Sequence, residues 1–185
     1  MLTLTFLFKN IFDITVTILL LRIWIIWSMN NTYNSFIQFI TVISQPIVKP
    51  IQSLIPNIKN IEIASLIILA VVLLIRYPLL MSFQIGIFPK YLIWYVLIAL
   101  LSGIKSIGYL IFWLITIRSI FSWFNRDYND FDHVLNKLTD QILEPLKVYI
   151  PPIYNIDITP FIISIVLYLL NFLGTDCFPL FWSII

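Results

Sequence analysis

Four stretches of the chain stay apolar long enough to cross a bilayer, which takes about 20 helical residues. Shorter patterned or proline-broken stretches separate them. The first run extends from Thr5 to Trp27 and reads as a retained helix. The second begins near Ile61 to Ser65 and continues to Ile75 or on to Phe88, with Arg76, Tyr77 and Pro78 marking a kink or a stop. From Tyr91 to Trp123 hydrophobicity hardly falters, which exceeds one straight crossing. Its spanning part is Ser102 to Trp123, and Tyr91 to Leu101 is an interfacial lead-in or a helical extension. The fourth run, Ile158 to Leu173, opens with Asp157 and Pro160 in its first turn, where an acid and a proline are both tolerated.

Between the first and second runs, Asn34, Gln38, Thr41 and Gln45 form a narrow polar stripe on an otherwise apolar helix, Tyr33 to Gln45. It is too short to span and is expected to lie in the membrane interface. Pro46 and Pro50 are expected to end it, because each removes a backbone donor and crowds the preceding turn, and Pro56 ends the next segment. Between the third and fourth runs, Phe131, Val134, Leu135, Leu138 and Ile142 follow the spacing of one helix face, with Asp132, His133, Asn136, Lys137 and Asp140 opposite. Asn129 or Asp130 can cap that helix.

The two halves match at a fixed offset. Pro50 and Pro145, Pro56 and Pro151, Asn60 and Asn155, and Glu62 and Asp157 are each separated by 95 positions (145 − 50, 151 − 56, 155 − 60, 157 − 62). Lys9, Arg22 and Trp27 match Lys105, Arg118 and Trp123 at 96. Such self-similarity predicts an all-α membrane protein of two tandem repeats, residues 1–88 and 89–185. Each repeat holds a spanning helix, an interfacial amphipathic helix, a proline segment and a spanning helix. An even number of crossings per repeat gives both copies one orientation, with both long loops on one side. Lys49, Lys59, Arg126, Lys137 and Lys147 on the loop side, against Lys9, Arg76, Lys90 and Lys105 opposite, are too evenly divided to orient the chain.

Composition agrees with a membrane reading: of 185 residues, 61% are hydrophobic and 11% charged, against roughly 25% charged in soluble domains. A net charge of +2 with dispersed cations gives no footprint for nucleic acid. The single cysteine, Cys177, excludes an intrachain disulfide. Charges inside the runs are therefore the notable feature. Lys9 and Asp13, four apart, are placed to pair. Arg22, beside Trp24 and Trp27, reads as an interfacial anchor rather than part of an ion pathway. Lys105 and Arg118 repeat the pattern.

Candidate chemistry is sparse. His133, the only histidine, lies on the polar side of its helix, and Asp127, Asp130, Asp132 and Asp140 lack the spacing of a calcium loop. No phosphate cradle and no activated nucleophile is present. The sequence predicts no enzyme, no bound cofactor and no metal. Duplicated proline-broken units with Asp13, Arg22 and Arg118 in or near hydrocarbon keep a channel or transporter as the alternative. The preferred reading is a non-catalytic scaffold or assembly factor. Its candidate docking residues are Pro46, Pro50, Pro56, Glu62, Pro145, Pro151 and Asp157. Its expected partners are the lipid bilayer and a membrane protein or a second copy of the chain.

The opening Met1-Leu-Thr-Leu-Thr-Phe-Leu-Phe, the Leu21-Arg22-Ile23-Trp24 block, the paired proline segments and Asn155-Ile156-Asp157 with Pro160 resemble the YggT family of bacterial membrane proteins. The resemblance covers nearly the whole chain. It implies a two-repeat, multi-pass protein of the bacterial inner membrane, with relatives linked to osmotic-stress tolerance, to haem attachment to plastid cytochromes, and to septum or nucleoid organisation. Gln141 departs from the pattern, standing where Pro46 stands in the first copy. The second surface helix is accordingly expected to run about a turn further than the first.

Overall fold

The computed structural model describes residues 2–29, 34–53, 62–83, 91–124, 129–150 and 157–182, and every element in them is helical. Long helices are α1 (Leu2–Ser28), α3 (Ile63–Phe83), α4 (Leu92–Phe124) and α6 (Thr159–Cys177). Each is long and apolar enough to cross a bilayer, so the chain is a multi-pass membrane protein. Two surface helices, α2 (Ser35–Gln52) and α5 (Asp130–Lys147), and a short C-terminal turn, α7 (Pro179–Trp182), complete the fold.

The spanning helices pack in the order α1, α3, α4, α6, with α1 also touching α4. Neighbours run antiparallel. Arg22 near the end of α1 meets Glu62 just before α3, whereas Asp13 meets Arg76 farther along it. Likewise, Ile115 and Ile163 share a core against which pack Ile111, one turn earlier on α4, and Leu167, one turn later on α6. The C-terminal ends of α1 and α4 therefore lie at one end of the bundle, and α2 and α5 lie there together.

Each surface helix buries one face. On α2 it is Ile37, Ile40, Ser44 and Val48, and on α5 Asp132, Val134, Leu135, Leu138, Thr139 and Leu143, so Asp132 leaves the polar side on which its spacing put it. Leu21, Ile25, Leu110 and Leu114 of the spanning helices join Ile37, Ile40 and Val134 in one core where the two halves meet. Phe36 and Phe131 meet edge to face at its rim, with ring centroids 4.9 Å apart. Asn34 caps α2 by accepting from the Phe36 and Ile37 amides at 2.9 and 3.4 Å. It also donates to the Asp130 carbonyl at 2.8 Å, fastening the start of one surface helix to the other.

Two expectations change, and two open alternatives close. Pro46 and Pro50 do not end α2, which runs through both to Gln52, and Pro145 lies inside α5. A proline costs its helix the bond to the carbonyl four residues back. Here those carbonyls belong to Val42, Pro46 and Gln141, all exposed residues, so the buried contacts survive. Because Pro46 is no terminator, α5 gains no extra turn from Gln141. Both surface helices have 18 residues. Tyr91 to Leu101 resolves as an extension, α4 being one helix of 33 residues, about 50 Å long. The second run likewise continues through Pro78 to Phe83. Pro56 and Pro151 lie outside the described residues.

Candidate functional site

The polar groups of the bundle gather in two layers. At the surface-helix end, Arg22 of α1 is 4% exposed and its partner Glu62 2%. The guanidinium forks onto the carboxylate, Nε to Oε2 at 2.6 Å and Nη2 to Oε1 at 2.7 Å. This bidentate geometry uses the rigid arginine plane that lysine lacks. Arg22 Nη1 donates to the Ser44 hydroxyl at 2.6 Å and to the Thr41 carbonyl at 3.1 Å. Ser44 in turn donates to the Ile40 carbonyl at 2.6 Å, and Ser65 donates to Glu62. One arginine thus joins α1, α2 and the start of α3. Arg22 is not the interfacial anchor that its neighbouring tryptophans suggested. Its charge is sealed inside the protein by an acid 40 positions away, a partner that local sequence does not reveal. Burial on its own would raise the Glu62 carboxyl, but the Arg22 and Ser65 bonds outweigh it and hold the group below its ordinary value.

Arg118 of α4 meets α5 in the same manner. Its Nη1 donates to the Thr139 hydroxyl at 2.5 Å, to the Asp140 carboxylate at 2.6 Å and to the Asn136 carbonyl at 3.5 Å. Thr139 donates to the Leu135 carbonyl at 2.7 Å. The acid differs, since Asp140 belongs to the surface helix itself. This pair is looser, with Arg118 21% and Asp140 35% exposed. Asp157 is thereby left to pair with Lys147 at 2.8 Å and to accept the Thr159 amide at 3.0 Å, at the start of α6. Burial would raise the Asp157 carboxyl, but the bonds from Lys147 and Thr159 outweigh it and hold the group below its ordinary value.

Gln141 has a use of its own. It accepts from the Trp24 indole at 2.9 Å and donates to Ser28 at 2.5 Å, clamping α5 to the end of α1. No proline could do this. Pro46, Pro50 and Pro145 face outward and touch neither arginine site. Ser44 and Thr139 carry no local signal of this role; the shared offset marks them, because 139 − 44 is also 95 and both carry hydroxyls.

The second layer lies toward the other end. Arg76, buried on α3, pairs with Asp13 at 2.6 Å and donates to Ser102 at 3.4 Å. Asp13 is therefore held across a helix interface by Arg76, not along its own helix by Lys9. Lys105 of α4 donates to the Trp182 carbonyl at 2.7 Å, and its ammonium lies 5.3 Å from the Trp182 ring centroid. Trp182 donates to Asn171 at 3.0 Å and covers Gly174, where any Cβ would collide with the indole. Among the described residues no three metal-ligating side chains converge. His133 is exposed on α5.

The profile of a family described as CCB3/YggT matches residues 1–83 and 97–176. The "Uncharacterized protein YggT" of Escherichia coli is 35% identical over 169 residues, covering 91% of this chain and 87% of that protein. The "Uncharacterized protein in proC 3'region" of Vibrio alginolyticus is 30% identical over 180 residues, 97% of each chain. An uncharacterized protein of Haemophilus influenzae is 26% identical over 175 residues, 95% of this chain and 93% of its own. No solved structure matches the chain.

Proposed function

The chain belongs to the CCB3/YggT family, and from that premise we propose that it is a non-catalytic scaffold of the bacterial inner membrane. In this reading it presents α2 and α5 as one rigid platform to a membrane-protein partner or a second copy. The observation that carries the reading is where the bundle spends its arginines. Arg22 and Arg118 use their donors to hold a surface helix against the spanning helices, Asn34 and Phe36 lock those two helices to each other, and Gln141 ties α5 to the end of α1. Such fixed groups suit a docking surface better than an ion path, which needs side chains free to exchange partners. A role in osmotic-stress tolerance would follow from the partner.

The platform is read as two tandem copies of one unit. Leu19, Val48 and Ile68 form one small core and Ile115, Leu143 and Ile163 another, at offsets of 96, 95 and 95 (115 − 19, 143 − 48, 163 − 68). Phe36 and Phe131, also 95 apart, touch each other, as equivalent residues do beside a two-fold axis. The outer face of α5 offers His133, Lys137 and Glu144 for recognition. Chemical crosslinking of native membranes, read by mass spectrometry, tests the reading. Reversing two outward charges, Lys137→Glu with Glu144→Lys, should leave the protein inserted and folded while crosslinks from the platform to its partner disappear. An unchanged set of crosslinks would overturn docking through α5.

A further inference from the structure

We propose that the layer opposite the platform is a binding site for a phosphate-ester anion, with Lys9 and Lys105 as its ligands. The argument begins with charge. Lys105 lies within electrostatic reach of Lys9, Arg76 and Asp13, and Lys9 within reach of Asp13 and Arg76. Among the described residues three cations thus face one carboxylate, a formal excess of two positive charges (3 − 1). Asp13 gives its Oδ1 to Arg76. Asp176, toward the same end of α6, is exposed and is not among the groups acting on Lys105. Lys105 is held by a backbone carbonyl and an aromatic face, neither of which neutralises it. Lys9 holds no partner at hydrogen-bond or ion-pair distance among the described residues, and it is half-buried. Unbalanced charge in a membrane-embedded bundle is costly, and an anion reaching both ammonium groups removes the imbalance.

Depth points to the anion's chemistry. Lys9 and Arg76 each lie seven residues from their helix end on this side (9 − 2, 83 − 76), about 10 Å along the axis. A lysine stem pointing outward carries its ammonium toward the plane of lipid phosphates. Arg76, buried and committed to Asp13 and Ser102, supplies field rather than contact. Trp182, seated on Gly174, fixes the position of Lys105. A phospholipid headgroup and free inorganic phosphate present the same oxyanion.

Native mass spectrometry of the full chain in detergent tests the site, with phosphatidylglycerol, phosphatidylcholine and inorganic phosphate as separate probes. The wild type should retain phosphatidylglycerol over phosphatidylcholine. Lys9→Gln with Lys105→Gln should weaken that retention about 30-fold, and Lys9→Arg with Lys105→Arg should keep it. Displacement of phosphatidylglycerol by inorganic phosphate would assign recognition to the phosphate alone. Retention that resists displacement would assign the site to the lipid. Lys9→Gln alone removes no hydrogen bond among the described residues, so an unchanged unfolding midpoint and about fivefold weaker retention are expected from it. A wild type that binds none of the probes selectively, or a preference that survives Lys9→Gln and the double glutamine variant, would overturn the proposal.

Discussion

Arg22 and Arg118 reach the same part of their surface helices: a carbonyl, a hydroxyl one turn on, and a carboxylate. The carboxylate makes the difference. Glu62 comes from the segment entering α3, so Arg22 locks three elements together, whereas Asp140 comes from α5 itself, so Arg118 locks only two. The consequence reaches the membrane. In the first half, α3 is wedged between α1 and α4. In the second, α6 packs on α4, α5 and the C-terminal turn, with much of its length exposed, including Phe161, Tyr168 and Phe172. An acid moved by one element changes how tightly a hairpin is closed.

This contrast can be broken most forcefully at Glu62. Glu62→Ala strands a buried guanidinium, and the loss should be about 3 kcal/mol, seen as a lower midpoint in thermal unfolding in detergent. Acid should reproduce part of it. The folded Glu62 titrates below its unfolded value, near 4.5. Its stabilisation is therefore complete above that pH and lost as pH falls below it through the folded value. An unfolding midpoint that holds steady in wild type through that acid range would contradict the assignment. Asp140→Ala, acting on a half-exposed pair, should cost about 1 kcal/mol, and a loss equal to that of Glu62→Ala would erase the distinction. Lys147→Ala removes the exposed Asp157 pair and should cost only about 0.3 kcal/mol, detectable as slightly faster proteolysis near the start of α6.

Much of the fold was legible because bilayer length and helical periodicity are local. The four spans, the buried series Val134, Leu135, Leu138 on α5 and the capping Asn129 follow from short windows of sequence, whereas Asn34, expected inside its helix, caps it instead. Pro46 and Pro50 misled because their effect depends on direction. With Val42 they form one column on the exposed face of α2, where a lost backbone bond disturbs no packing. Lys9 and Asp13 have ideal helical spacing, yet Arg76 approaches Asp13 across an interface that only the assembled bundle creates. The Arg22 site was hidden for the same reason. Its partners lie 19, 22 and 40 positions away, and only the recurrence of hydroxyls at 44 and 139 hints that a shared contact exists.

The spacing of the two polar layers has a consequence for the surrounding lipid. Along α1 and α4 they are 13 residues apart (22 − 9, 118 − 105), about 20 Å, whereas hydrocarbon is about 30 Å thick. Arg22 and Arg76 are turned inward, and the exposed faces continue apolar beyond the layers, with Phe6 and Leu7 on α1 and Leu92 and Ile93 on α4. Burying the ionic groups thus lets a bundle with charges only about 20 Å apart along its helices present acyl chains with an apolar girdle of full length.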